Sequence, residues 1–258
     1  SIVTIVQAMG TQKMAAEQAV IKELKAVESL GCVSVICSDK TGTLTQNRMT
    51  LVKAYDAASG SLTDVSGQDS PEIKRLLEYG SLCCDGSVIE KDGEIQHIGD
   101  PTETCIVYAA MKNGSPKEKL AQEYPRLTEL PFDSDRKRMS VTVNINGQGY
   151  ILTKGAPDVI LSLCTKVNTS SGIVPLTPEI KSRILSHNEK MGAAALRVIG
   201  AAYREIRASE SGESAEHGLI FTGLFGMIDP PRKAAYKAVK TLSLIHISEP
   251  TRHCAISY

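Results

Sequence analysis

The stretch SVICSDKTGTLTQNRMT, residues 34–50, runs from a β-branched apolar segment straight into an acid, a base, several hydroxyls and a glycine. A carboxylate just past the C-terminal end of a strand stands where open α/β sheets bind ligands. Asp39 could attack a phosphoryl group from there. That would bring two anions together, so the site would need a nearby cation and a metal. Lys40 supplies the cation, while Thr41 and Gly42 offer a hydroxyl, a carbonyl and small-residue backbone to phosphate oxygens and Mg2+. The rival reading is plain: an aspartate before helix-compatible residues is commonly a helix N-cap.

Several elements must position these residues. Apolar Met14, Val20, Ile21, Leu24 and Val27 recur at helical spacing, which predicts one amphipathic helix from Thr11 to about Leu30. CVSVIC, residues 32–37, reads as a strand buried on both faces, as in a parallel sheet. The apolar SIVTIVQAM at the start is too short to span a membrane and fits either the end of a longer apolar helix or a frayed amphipathic start.

Further on, residues 59–71 read as a polar loop, followed by helices over about 71–84 and 101–112, the second with Asp100 as cap and Pro101 in its first turn. MSVTVNINGQGYILTKG predicts a hairpin around Asn146-Gly147, with Lys154 at the end of its second strand. Pro157 opens a short helix and Thr177-Pro178 a longer one to about Ala195, while LRVIGAAYR and LIFTGLFGMI read as strands. The middle of the chain is thus α+β with antiparallel pairing, unlike the helix, strand and acid at its start. Two architectures in one chain imply an inserted domain. MIDPPR, residues 227–232, suits its return hinge, because two prolines stop a strand and Pro230 holds Asp229 extended.

Composition excludes several classes of function. With 29 basic and 29 acidic residues in 258, no overall charge favours nucleic acid or an anionic membrane surface. The seven cysteines form no C-x-x-C pair and, with five scattered histidines, no zinc spacing; they read as buried thiols in a reducing compartment. No apolar run approaches the roughly 18–20 residues of a membrane helix, and no signal-peptide pattern opens the chain.

CSDKTGTLTQNRMT resembles the D-K-T-G-T phosphorylation motif of the P-type cation-transporting ATPases, and the likeness, closest to the type II calcium and sodium/potassium pumps, covers roughly residues 1–242. The resemblance implies that Asp39 accepts the γ-phosphate of ATP, that Lys40 offsets charge, and that Asp39 and Thr41 hold Mg2+. Related phosphatases of the haloacid dehalogenase fold carry an acid-base aspartate two residues after the nucleophile. Thr41 stands there instead, which slows hydrolysis of the acyl-phosphate and favours a pump.

GDPTET at 99–104 resembles the segment whose acid approaches adenine, implying that role for Glu103 with Thr102 beside it. In LPFDSDRKRMSV, residues 130–141, the likeness implies that Phe132 stacks on adenine and Met139 lines the pocket; read without it, Phe132 is a core residue. Ser134 occupies the place of a phosphate-contacting arginine in some relatives, for which Arg136 or Arg138 could substitute. TKGAPDVIL resembles the K-G-A-P-E signature, placing Lys154 deep in the ATP pocket and Gly155 against the nucleotide. Arg197 matches a phosphate-contacting arginine, and DPPR brings Asp229 and Arg232 near the nucleotide.

The fold class implied is α/β, a partial haloacid-dehalogenase-like phosphorylation domain, with an inserted α+β antiparallel-sheet nucleotide-binding domain. The divisions expected are 1–30 for the end of a membrane helix and a stalk helix, 31–47 for the start of the phosphorylation domain, 48–228 for the nucleotide-binding domain, and 229–242 for the hinge and return. Residues 243–258 match nothing in the family and read as an atypical, non-native tail. The T-G-D and G-D-G-x-N-D motifs do not follow. The expectation is therefore a cytoplasmic-side piece of an integral membrane pump, calcium being the ion suggested, that binds ATP but neither transports nor forms the aspartyl-phosphate by itself. The alternatives are a non-catalytic ATP-binding module and a soluble phosphatase of the haloacid dehalogenase type.

Overall fold

The computed structural model describes residues 2–23, 25–91, 93–207, 210 and 212–245; most of the atypical tail, and Leu24 of the expected first helix, lie outside them. Two compact units emerge, Ser1–Leu44 and Thr45–Tyr258.

In the first unit the single expected helix is two, α1 (Ile2–Ala16) and α2 (Lys25–Leu30). Gln18 adopts a left-handed φ of 63° at the break. Val20 beside it is 86% exposed, and short isolated helices are marginal without packing. The predicted strand CVSVIC is also absent: residues 33–39 have no regular structure, and Val35 is 74% exposed. A strand needs a neighbour to satisfy its N–H and C=O groups, and among the described residues none pairs with this segment. The parallel sheet expected there is therefore not formed. Lys40–Leu44 make a turn rather than a regular helix, with Thr41 extended and Gly42 at φ 78°, a conformation that favours glycine.

The second unit is built on a nine-stranded sheet among the described residues. Its main path comprises β1 (Thr50–Asp56), β2 (Ser61–Asp64), β5 (Arg126–Asp133), β6 (Arg138–Ile145), β7 (Gln148–Gly155), β10 (Arg197–Ile206) and β11 (Leu219–Ile228), in the spatial order β2-β1-β11-β10-β7-β6-β5. These pairs are all antiparallel; β8 (Cys164–Thr169) joins β11 in parallel and carries β9 (Gly172–Pro175). A separate hairpin, β3 (Ser87–Lys91) with β4 (Glu94–Ile98), leads into the helices. The polar loop expected at 59–71 in fact contributes β2, an edge strand held by β1.

Helices α3 (Pro71–Leu82), α4 (Pro101–Lys112), α5 (Lys117–Glu123), α6 (Pro157–Leu163), α7 (Pro178–Ala193) and α8 (Lys233–Ile245) complete the unit. Proline in the first turn marks α3, α4, α6 and α7, and Ser70, Asp100 and Thr177 cap the first, second and fourth of these through side-chain oxygens, the last two where the sequence predicts caps. The β6–β7 turn has Asn146 at φ 52° and Gly147 at φ 86°, both left-handed as a two-residue hairpin requires.

Period-two alternation splits the core. Ala201, Phe225 and Met227 face Leu76, Leu77 and Ile106 of α3 and α4, whereas Ala202, Ile151 and Leu224 face Ile160, Ile184 and Met191 of α6 and α7. A third cluster joins Leu82, Cys83 and Leu120 to Met139, Val141 and Leu152.

Candidate functional site

One end of the sheet gathers the residues named from the sequence. In register, Asp133 of β5 faces Arg138 of β6, Arg138 faces Gly155 of β7, and Gly155 faces Gly200 of β10. Arg197 lies three residues from Gly200 at the start of β10, opposite Met227, and Asp229 follows β11 at the same end.

Lys154 points to the α3/α4 face. Its Nζ is 2.5 Å from Glu103 Oε1 and 3.1 Å from Cys84 Sγ, and its side chain is 7% exposed. Glu103 Oε2 accepts from the backbone N–H groups of Asp85 (2.8 Å) and Gly86 (2.9 Å). A carboxylate has about four lone-pair positions, so Glu103 keeps roughly one for a further donor. Burial works against the Lys154 ammonium, yet its pKa is raised by Cys84, Cys83 and the Glu103 carboxylate. Burial pushes the Cys83 thiol up to about 12 and raises Cys84 too. Both sulfurs therefore stay protonated near neutrality, and the ion-pair partner of Lys154 is Glu103.

The loop 83–86 that binds Glu103 is itself clamped. Lys117 Nζ donates to the carbonyls of Cys84 (2.6 Å) and Gly86 (2.7 Å), and Arg126 donates to those of Leu82 and Cys84 while pairing with Asp85 and Glu129. Sequence reasoning missed Lys117, Arg126 and Cys84, because a base on a short polar helix or at a strand start carries no local mark of what it will hold.

Phe132 is 62% exposed, so it is not the core residue that its scarcity alone suggested. Pro131 and Phe132 stand opposite the single Met139, between the pairs Leu130–Ser140 and Asp133–Arg138. This is a β-bulge, a device that re-aims side chains beside sites. Ser134 is exposed in the turn that follows, where Asp133 Oδ1 accepts from the N–H groups of Asp135 and Arg136. Met139 is 1% exposed within the third core cluster, so it supports the site from below instead of offering open surface.

Gly155 is demanded by protein rather than by ligand alone: a Cβ there would meet the Lys137 carbonyl oxygen and lie 2.8 Å from Arg138 Cα. Arg136 and Arg138 are not turned outward to replace the missing arginine; both bind the buried Glu216, at 2.5 and 2.7 Å.

Residues 45–48 and 229–232 are bonded to one another. Thr45 Oγ1 donates to Asp229 Oδ2 at 2.6 Å, the Arg48 N–H donates to Asp229 Oδ1, Gln46 N–H donates to the Pro230 carbonyl, and Arg232 Nε donates to the Thr45 carbonyl. Asp229 thus ties the segment before β1 to the end of β11.

In the first unit Asp39, Lys40 and Thr41 are all exposed, and Thr41 N–H donates to Asp39 Oδ1 at 3.3 Å, an Asx-type turn instead of a helix cap. The Asp39 carboxylate and Thr41 carbonyl are hard oxygen donors of the kind Mg2+ takes. Among the described residues no group of three or more His, Cys, Asp or Glu converges as a metal site.

A mixed antiparallel sheet backed by helices, presenting a buried lysine–carboxylate pair and an exposed aromatic at one end, agrees with the family described as "P-type ATPase, cytoplasmic domain N", which matches residues 72–234. The chain belongs to this family. It is 42% identical over 243 residues to calcium-transporting ATPase 1 of Lactococcus lactis, covering 93% of this chain and 27% of that protein. It is 38% identical to the calcium-transporting ATPase of Bacillus subtilis over 93% of this chain and 29% of that protein, and 34% identical to mouse calcium-transporting ATPase type 2C member 1 over 93% and 27%. The chain therefore spans less than a third of the length of these relatives.

Proposed function

We propose that this chain is the nucleotide-binding part of a calcium-transporting P-type ATPase, with ATP held at the sheet end where Glu103, Phe132, Lys154 and Arg197 gather. The observation that carries the reading is the buried Lys154–Glu103 pair facing the same sheet end as the exposed, bulge-borne Phe132. Phe132 gives a stacking face for a purine. Glu103 keeps an acceptor position for an exocyclic amine. Lys154 holds Glu103 in place and adds positive charge, with Thr102 beside it. Arg197, exposed at the start of β10, is placed for phosphate, while Gly155 and Met139 shape the floor and Ser134 lies in the bordering turn. Asp229 orders the hinge.

In the parent pump Asp39 would accept the γ-phosphate, Lys40 would offset the charge of the approaching anions, and Asp39 with Thr41 would hold Mg2+. Mg2+ supplies charge neutralisation at the phosphates. The parent sits in a membrane with these parts on the cytoplasmic side. The 258-residue chain binds ATP without itself transporting ions or forming the aspartyl-phosphate.

Affinity in the micromolar to millimolar range, about −4 to −8 kcal/mol, is expected from a few partly exposed contacts. Calorimetric titration with ATP tests the site: Phe132→Ala should lose about 1–3 kcal/mol, the worth of one base–aromatic stack. Equal affinity in wild type and variant, or no binding by wild type, would sink the proposal. Incubation with γ-labelled ATP and Mg2+ tests the rest, since acid-stable, hydroxylamine-sensitive label on Asp39 would show that the chain phosphorylates unaided.

A further inference from the structure

The Glu216 side chain is 0% exposed and accepts hydrogen bonds from Arg136 Nη2 at 2.5 Å, Arg138 Nε at 2.7 Å and Ser140 Oγ at 2.5 Å. Ser140 Oγ is in turn 2.9 Å from Thr153 Oγ1. Glu216 follows the short 3-10 turn Gly212–Ala215 and meets the sheet on the face opposite Lys154, because Arg138, Ser140 and Thr153 alternate with Met139 and Lys154.

The placement of these contacts is specific. The bulge that carries Phe132 is bounded by two pairs, Leu130–Ser140 and Asp133–Arg138. Ser140 and Arg138, the two β6 residues closing it, are held by Glu216, and so is Arg136 in the turn beyond. β5 lies at the end of the sheet order, and Pro131 inside the bulge has no N–H to give the ladder. An edge strand of this kind has weakly specified register unless something pins it. Two guanidinium groups and a hydroxyl converging on one buried carboxylate supply the pin.

We propose that Glu216 is a positioning residue for nucleotide binding: acting through Arg136, Arg138 and Ser140 from behind the sheet, it sets the bulge and hence the direction in which Phe132 presents its ring. The inference rests on the ATP reading above. It assigns Arg136 and Arg138 to holding the turn and not to phosphate.

The test uses the whole chain with ATP as probe, in wild type, Glu216→Gln and Ser140→Ala, the last removing one of the three donors to Glu216, and the Thr153 contact with it, without leaving a buried charge unpaired. Calorimetry gives affinity, and proton NMR at saturation gives the upfield ring-current shift of the adenine H2 and H8 signals. Glu216→Gln should weaken ATP by about fivefold or more, the low end of what losing one base–aromatic stack costs, and shrink the ring-current shift; Ser140→Ala should move both the same way by less. A merely structural role lowers the melting temperature and leaves the shift of the bound, folded fraction intact. Folded Glu216→Gln, or Ser140→Ala if the former does not fold, with wild-type affinity and wild-type shift overturns the inference while leaving the ATP reading standing. Failure of wild type to bind ATP overturns both.

Discussion

Replacing Lys154 by methionine removes a charge and little volume. The ammonium sits 2.5 Å from Glu103 with side-chain exposures of 7% and 15% for the two partners. Deleting one partner of a buried pair costs about 3–5 kcal/mol, but Glu103 keeps the Asp85 and Gly86 N–H donors and some contact with water, so about 2–3 kcal/mol is expected here. For a chain of this size each kcal/mol lowers the melting temperature by about 2–4 °C, which puts Lys154→Met about 4–12 °C below wild type. Adding Glu103→Gln removes the orphaned charge, so the double variant should be no less stable than Lys154→Met, with a coupling of about 1–3 kcal/mol. The pH dependence has a definite sign. The folded Lys154 pKa is raised above 10.5, so its contribution is full below that pH and is lost only as pH rises through the higher folded value. Thermal melts of wild type, Lys154→Met, Glu103→Gln and the double variant read all of this. A Lys154→Met melt within about 1 °C of wild type, or coupling near zero, would refute the reasoning, since neither fits a buried, mutually dependent pair.

Gly155→Ala should cost about 1–3 kcal/mol in a chemical-denaturation experiment, because the added methyl meets backbone atoms of Lys137 and Arg138 that have no flexible way to retreat. Alkylation of the native chain followed by mass spectrometry should label the exposed Cys32 and Cys37 and spare Cys83, Cys84, Cys105 and Cys164, which are buried with pKa values raised by that burial. Hydrogen bonds from Arg204 and the Arg207 N–H hold the Glu210 carboxyl down at about 2, so its contribution is full above pH 4.5 and disappears as pH falls toward 2. The difference in melting temperature between wild type and Glu210→Gln should accordingly shrink between pH 6 and pH 2.

Local rules were enough for much of the second unit. The caps Ser70, Asp100 and Thr177, the helix-opening prolines, and the Asn146-Gly147 turn act within a few residues of themselves, so their helices and hairpin stand where the sequence puts them. The motifs named Glu103, Phe132, Lys154 and Arg197 as candidates, and the fold pairs the first with the third. Elements that depend on a distant partner were not legible in the same way. CVSVIC has the composition of a buried strand, but composition cannot supply the neighbouring strand that would satisfy its backbone. The helix expected from Thr11 to about Leu30 had periodicity, yet Val20 within it is 86% exposed.

The site shows the same division. Residue types at the site were readable from the motifs, whereas tertiary structure alone brought Glu103 to Lys154 across 51 positions and Glu216 to Arg136 across 80. It also bent β5 so that Phe132 faces outward, and it turned Arg136 and Arg138 away from the role their charge suggested. The physical reason is one of range: periodicity, caps and turns are set by neighbours along the chain, but ion pairs, bulge register and sheet pairing form only between segments that the fold brings together.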